Sequence, residues 1–526
     1  MNKMLITLGL LWPGLALAAL PEWQYTVRPG DTLTSVAARY MSSASDWQKL
    51  QQYNNIADPR RLPPSGKLRI PYNWLRQQPA SADVSAVSGK VELAVAGQTP
   101  RPLNKGEQLK VGSEVRTSTN SSAALIFADG SRVVIQPDSV LKLDTVSIYA
   151  GGAMVDTRVR LNRGRTEVFA NPLKRAGNRL EVITPSAIAA VRGTVFRVST
   201  DAENVMRQET LEGQVGVVAS AAEVAVGKAM GTLAEEGKAP MAPMALPPAP
   251  TLSGLPARLE HYPLDFETPQ QSGVQNWFGQ IAQDEKFETI VAQADTSLTG
   301  GKLRFSDLPD GRYVLRLRGV NDKGLQGLDG LHVFEVDAHP LPPVVDVYEQ
   351  IKEVFTRNIS PRLTWRTSEE AEKYRVQVSA DRTFSKDVTE QIVSAAWLDI
   401  DPTQHRGERY WRVASIAGNG EQGPYSLLRH FEYRITPPAP AIQSSKIELD
   451  DRELRVAMPS LQAGEQYLVT FARGKAFEEV LWQGKLDGVL FKTAKPAPGA
   501  YFFAAQVVNS EGVAGELALF PVEIAK

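Results

Sequence analysis

Apolar and polar residues alternate with a period of two through most of this chain, the pattern of half-buried β-strands. The strand signal is clearest in two short apolar runs, Ala123-Ala124-Leu125-Ile126-Phe127 and Val133-Val134-Ile135, with Asp129-Gly130 between them. Asp-Gly between apolar runs predicts a β-hairpin. Residues 84–220 read as strand after strand in this way. Residues 21–75 differ: short strand-like pieces flank two segments of helical spacing, with Val36, Ala37 and Tyr40 in one and Trp47, Leu50 and Tyr53 in the other. From about 219 the composition shifts to Ala, Gly, Met and Pro and ends in Leu246-Pro247-Pro248-Ala249-Pro250, which predicts an extended linker over 221–258.

Beyond residue 258 the pattern repeats. Gln280-Ile281-Ala282, Gln377-Val378-Ser379 and Thr470-Phe471-Ala472 are each followed, seven positions after their first residue, by Phe287, Phe384 and Phe477. Gly311-Arg312-Tyr313 leads to Asn321, Gly324 and Gly327, and Gly499-Ala500-Tyr501 leads to Asn509, Gly512 and Gly515 at the same offsets. Between them Gly407 to Tyr410, Gly420 and Gly423 keep the shape. A strand-rich repeat of this length, with Trp277, Trp365 and Trp411 as candidate core aromatics, resembles fibronectin type III domains, immunoglobulin-like sandwiches. The predicted repeats are 259–340, 341–437 and 438–526, with Leu341-Pro342-Pro343 and Pro437-Pro438-Ala439-Pro440 as semi-stiff spacers.

A chain of 526 residues divides into several domains. Met1-Asn2-Lys3, the apolar stretch Met4 to Leu17 and the small-residue pattern Ala16-Leu17-Ala18 have the layout of a secretory signal peptide over 1–19, with cleavage after Ala18 or Ala19. The stretch is shorter than a spanning helix needs, and no later one approaches a membrane span, so the mature chain is expected not to span a membrane. There is no cysteine, which excludes a lipid-modified Cys, disulfides and thiolate sites. The formal net charge of −1 argues against nucleic acid as a partner.

Residues 25–71 resemble a LysM domain end to end. Tyr25-Thr26-Val27-Arg28-Pro29-Gly30-Asp31-Thr32-Leu33 fits the opening strand and turn, Trp47, Leu50, Tyr53, Asn54 and Asn55 the second helix, Ile56-Ala57-Asp58-Pro59-Arg60-Arg61-Leu62 the loop after it, and Gly66-Lys67-Leu68-Arg69-Ile70-Pro71 the closing strand. Asp31 or Thr32 is suited to cap the first helix, and Gly30 permits the turn before it. The resemblance implies a small α+β module of βααβ order, over 21–75, that binds the N-acetylglucosamine backbone of peptidoglycan. It also implies a groove lined by Gly30, Asp31, Thr32, Leu33, Asn55, Ile56, Pro59, Arg60 and Leu62. Read from the residues alone, the same positions are the caps and turns of a small domain. The junction Gln78-Pro79-Ala80 is expected to leave few contacts with the next domain.

Residues 88–218 resemble the FecR-type domain, an all-β periplasmic module. The matching residues are Gly89-Lys90-Val91, Leu109-Lys110-Val111-Gly112, Val115-Arg116-Thr117, Ala128-Asp129-Gly130-Ser131, Val191-Arg192-Gly193-Thr194-Val195-Phe196 and Glu212-Gly213-Gln214-Val215. The resemblance implies an all-β domain over 84–220 and an envelope protein partner. Sigma-factor control in that family needs a membrane helix and a cytoplasmic segment, neither of which is read here. Arg192-Gly193-Thr194 reads either as a ligand site or as a close backbone approach. Arg158, Arg160, Arg163, Arg165, Lys174, Arg175 and Arg179, opposed only by Glu167, read as a solvated face or as a patch for the carboxylates of wall peptides.

No catalytic or metal motif appears: His261, His332, His339, His405 and His430 are isolated, there is no Gly-x-Ser-x-Gly, and Asp450-Asp451 and Glu369-Glu370 read as exposed turn charges. No cofactor is expected. The chain therefore reads as a multidomain, mainly β, non-catalytic periplasmic protein that binds peptidoglycan as a wall-anchored adaptor or scaffold. The alternatives are an envelope sensor whose FecR-like domain binds a membrane partner, and a wall-remodelling enzyme with a scattered site.

Overall fold

The computed structural model describes residues 22–150, 154–171, 179–191, 193–296, 301–306, 308–345, 353–355, 362–401, 404–443 and 446–525. The expected signal peptide, Arg192, Lys174 and Arg175 lie outside them. The chain divides into two compact units, Met1–Val336 and Asp337–Lys526.

The first unit opens with β1 (Glu22–Thr26), α1 (Leu33–Tyr40), α2 (Trp47–Asn54) and β2 (Lys67–Pro71), and β1 pairs antiparallel with β2. Thr32, rather than Asp31, caps α1. Its hydroxyl accepts the Ser35 N–H at 3.1 Å while the Ser35 hydroxyl accepts the Thr32 N–H at 2.9 Å, a reciprocal capping box. Leu33, Val36, Ala37 and Tyr40 then fall on one face and are buried. Asn55 ends α2 in the left-handed conformation, φ 51°, one of the few residue types that adopts it at low cost.

The junction after this module departs from expectation. Instead of a bare linker, β3 (Gln77–Pro79) pairs with Ser147–Tyr149 of the next domain, and Ala80 N–H donates to the Val146 carbonyl at 2.9 Å. Ala150 and Met154 enter the module's own core beside Tyr25, Leu50 and Ile70. The apolar face that α1 and the β1–β2 pair leave open is closed by the neighbouring domain, which local periodicity does not reveal.

Strands from Gln77 to Ala245 make one closed hydrogen-bonded system built as two packed sheets. The predicted hairpin forms, Ser122–Ile126 against Arg132–Ile135, with Gly130 at φ +83°. The long strand Met154–Phe169 serves both sheets. Its first half pairs with Val140–Tyr149 and Arg179–Ile183, and from Gly164 onward it pairs with Val195–Thr200. Gly164, at φ +89°, makes the crossing; a Cβ there would lie 2.6 Å from the Asp138 carbonyl and strike the Ser139 hydroxyl as well. Leu141, Leu143, Val159, Leu161, Phe196 and Val217 fill the space between the sheets.

The stretch 221–258 is not the predicted linker. Ala222–Gly227 pairs with Gln214–Ala219, Met230–Ala234 with Met206–Thr210, and Met244–Ala245 with Met230–Gly231, so the sandwich extends to Ala245. The turn before the first of these is carried by Ser220 and Ala221, at φ 44° and 61°, where hairpin signals call for Asn-Gly. Small side chains in the strands and a first turn without glycine read as linker composition.

Three successive pairs of sheets follow among the described residues. In the first, Arg258–Leu259, Gly330–Val336, Gly311–Val320, Asn276–Ala282 and Ile290–Asp295 form one sheet, and Leu264–Glu267 with Lys302–Phe305 the other. The pairs beyond it, from Glu353–Phe355 to Arg429–Tyr433 and from Ile447–Leu449 to Ala518–Ile524, lie in the second unit. Trp277, Trp365 and Trp411 are all buried.

The proline segments are not free spacers. Leu328 N–H donates to the Pro247 carbonyl at 2.9 Å and Glu516 N–H to the Pro437 carbonyl at 3.0 Å. Gly327 and Gly515 lie where a Cβ would come within 2.5 and 2.6 Å of those carbonyls, and Gly423 is still closer to the Pro340 carbonyl. Each proline segment therefore belongs to the repeat on its C-terminal side, and the recurring third glycine is what lets its backbone approach.

Candidate functional site

Two loops of the N-terminal module bring the predicted residues together. Leu33 N–H donates to the Pro59 carbonyl at 2.9 Å, Val27 N–H to the Gly66 carbonyl and Ser65 N–H to the Val27 carbonyl, both also at 2.9 Å, so the loops run side by side. Gly30 turns the first loop at φ +85° with open space where a Cβ would go; it serves the backbone angle and not a close contact. In the second, Arg60 N–H donates to Asp58 Oδ1 at 2.9 Å, an Asx turn, and Gln51 Nε2 holds the Ile56 carbonyl at 2.9 Å.

The nine residues divide by exposure. Gly30, Asn55 and Arg60 are exposed and Thr32, Ile56 and Pro59 half-buried, so these six keep accessible surface on the paired loops, Ile56 while also packing against the module's core. Leu33 and Leu62 are core residues, and Leu33 has no accessible surface at all. Asp31 is buried too. It accepts the Tyr25 hydroxyl at 2.5 Å and the Arg28 N–H at 2.8 Å, with Arg39 at 3.4 Å. Burial opposes ionisation of Asp31, but these donors outweigh it and hold the carboxyl below its ordinary value; burial and the bond to Asp31 push the Tyr25 hydroxyl up. Asp31, Leu33 and Leu62 thus shape the loops from beneath.

Supports of this kind escaped sequence reasoning. Tyr25, Gln51 and Asn54 fix the loops, Asn54 by accepting Arg69 N–H at 2.7 Å and donating to the Arg69 carbonyl at 2.8 Å. Asn54 lies within the LysM-like string, but its partner is fifteen positions away and local pattern does not name it.

Residues 25–71 match the LysM domain model, and residues 113–216 match that of the FecR protein. The two matches point to glycan binding and to envelope signalling. An uncharacterized protein of Deinococcus radiodurans is 45% identical over 47 residues, a stretch that is 9% of this chain and 19% of that relative. Among solved structures, a candidate anti-sigma factor from Parabacteroides distasonis shares 14% identity over 25% of this chain and 59% of its own, with a TM-score of 0.21. The chicken CNTN1 FN1–FN3 domains share 14% over 53% of this chain and 99% of theirs, with a TM-score of 0.21.

The FecR domain meets the first repeat through buried polar groups. Arg316 Nη1 donates to Glu167 Oε2 at 2.9 Å and Nη2 to Gln280 Oε1 at 2.7 Å, and its guanidinium lies 3.9 Å from the Phe287 ring centre. Gln280 reaches Gln136 at 3.1 Å. Arg318 binds Asp329 at 2.5 Å, Arg197 donates to the Gly327 carbonyl at 2.6 Å, and Glu209 accepts the Gln326 N–H at 3.0 Å. Burial, then repulsion from Arg318, lower the Arg316 guanidinium, with Glu167 opposing; burial would raise Asp329, but Arg318, Arg316 and Arg197 hold it far below the carboxylate range. Ser122 and Asn120 add bonds to Ile290 and Gln293, and Arg132 pairs with Glu288.

The basic cluster is not one patch. Arg158 and Arg160 share a face and pair with Asp156, Glu181 and Asp144, and Arg179 pairs with Glu181. Arg165 instead lies beneath the first repeat, 4.7 Å from the Phe278 ring centre. Gly193 turns at φ +70° between strands of the two sheets, and Thr194 is buried beside Gly213. Among the described residues no cluster of three or more His, Asp or Glu side chains is placed to hold a metal ion, and no helix is long and apolar enough to cross a membrane.

Proposed function

We propose that this protein is a non-catalytic, peptidoglycan-binding adaptor of the periplasm, anchored to the wall by its LysM module. The observation that supports the reading is the pair of loops clipped by the Leu33–Pro59 bond within the segment that matches LysM, on which Gly30, Thr32, Asn55, Ile56, Pro59 and Arg60 all keep accessible surface. A half-buried Ile56 offers an apolar face to sugar rings, and the exposed turn backbone offers hydrogen-bonding groups to hydroxyl and acetamido groups.

Sedimentation with purified sacculi tests it. The full chain is expected to co-sediment, and to do so in high salt, because such a groove draws little from exposed charge. Ile56→Asp and Gly30→Val are expected to release it, the first by placing a charge against sugar, the second by forcing a β-branched residue to φ +85°. Normal binding by both folded variants moves the wall contact elsewhere. A second reading, an envelope sensor whose FecR domain engages a membrane protein, draws on the match over 113–216. A crosslink from that domain to a membrane-spanning protein selects it.

A further inference from the structure

The second repeat carries, on the same strands and in the same register, the side chains by which the first repeat docks. Gln280 stands opposite Arg316, and Gln377 opposite Arg412. Phe287 and Phe384 both turn at positive φ, 52° and 56°, and each lies under the arginine of its own repeat, at 3.9 and 4.1 Å. In the third repeat Thr470 stands opposite Ala504, so the phenylalanine turn persists without the arginine. The fold does not require the arginine, and its presence in two repeats needs a separate cause.

In the first repeat that cause is visible: Arg316 spends one guanidinium edge on Gln280 and the other on Glu167 of the FecR sheet. Arg412 is prepared in the same way. Its Nε donates to Gln377 Oε1 at 2.9 Å, and its two faces are covered by Phe384 and Tyr425, the latter at 4.0 Å. Held by Gln377 and two rings, the guanidinium is ordered in advance, and its terminal N–H groups are the donors that suit a carboxylate. The nearest acid across the strand pair, Glu390, is engaged by Arg375 and Gln377. Beside it on the same face Ile392 is 52% exposed.

We propose that this face of the second repeat is a docking surface for a partner protein presenting the flat face of a β-sheet with a central Asp or Glu, as the FecR sheet presents Glu167 to Arg316. The inference adds a partner surface to the adaptor reading and rests on it. A photocrosslinking residue at Ile392 in the full chain, in cells that make it, reads the contact. Its counterpart at Lys485, the corresponding position of the third repeat, is the control.

The expected result is an adduct at Ile392 and not at Lys485, mapped by mass spectrometry to a partner strand that carries an acidic residue. Arg412→Glu is expected to cut its yield about tenfold or more, and changing the partner's acid to Arg to restore it. Arg412→Gln, with circular dichroism on both variants, covers a folding failure of the first. No adduct above the control overturns the proposal, as does a yield indifferent to Arg412 or an adduct with wall glycan or its peptide. Sacculus binding by the same variants is expected to match the parent; loss of sacculus binding by the parent strikes the adaptor reading instead.

Discussion

The first and second repeats hold the same glutamine, arginine and phenylalanine in the same register, yet in different surroundings. Gln280, Arg316 and Phe287 are almost entirely buried under the FecR sheet, whereas Gln377, Arg412 and Phe384 are half-buried. Identical side chains therefore have different energetic meaning. In the first repeat the charges are removed from water and depend on their partners; in the second, water still screens them.

The sharpest way to break this comparison is to remove one buried partner. Glu167→Ala leaves Arg316 and Arg318 buried without one of the two carboxylates they share and is expected to destabilise the first unit by about 3–5 kcal/mol, read from its unfolding transition in urea. In the double variant with Arg316→Ala the losses should fall well short of additive, since both remove one interaction. Additive losses would mean that the network is not coupled.

Next in size is the boundary between LysM module and FecR domain. Met154→Ala empties part of a core that two domains share and is expected to cost about 2–5 kcal/mol. By the same argument, residues 21–80 expressed alone should melt below the temperature at which the module melts in the full chain, as followed by circular dichroism. Equal melting temperatures would return the module to independence.

Acid probes the same network. The folded pKa of Asp329 is depressed, so its contribution is complete above the ordinary Asp value of about 3.9 and is lost as pH falls toward the folded value. Asp329→Asn is expected to be less stable than the parent at pH 7, and the gap between them to narrow progressively as pH falls below about 4. Urea midpoints from pH 7 to 3 measure it; a constant gap would remove Asp329 from the ionic account.

The smallest effect is expected where the comparison began. Arg412→Ala should change the stability of the second unit by less than about 1 kcal/mol, because Arg412 is only half-buried and makes no buried ion pair among the described residues. A loss as large as that of Glu167→Ala would show that Arg412 serves its own repeat's fold.

Much of this was legible along the chain. Asp129-Gly130 between apolar runs specified a hairpin, Gly30 a turn of positive φ, and the spacing of Phe287, Phe384 and Phe477 a recurring unit, because each is a local preference of backbone or period. The glycines at 327, 423 and 515 were visible as a pattern, but their reason, a proline carbonyl pressed against each, was not. Ala222 to Ala234 was misread as linker for the opposite cause: its strands use small residues and turn on Ser220-Ala221, so a weak local signal was completed by pairing with strands already in place.

By itself, then, the sequence determined the β class of the chain, the turns at Gly30 and Asp58-Pro59 in the LysM segment and the existence of repeats, since these arise from interactions a few residues apart. Only the tertiary structure decided that Met154 completes the LysM core, that Asp31 and Leu33 lie beneath the loops, and that Glu167 meets Arg316 across 149 positions. Which sheet face meets which depends on packing summed over whole domains, and no period or motif near Glu167 encodes the arginine it will neutralise.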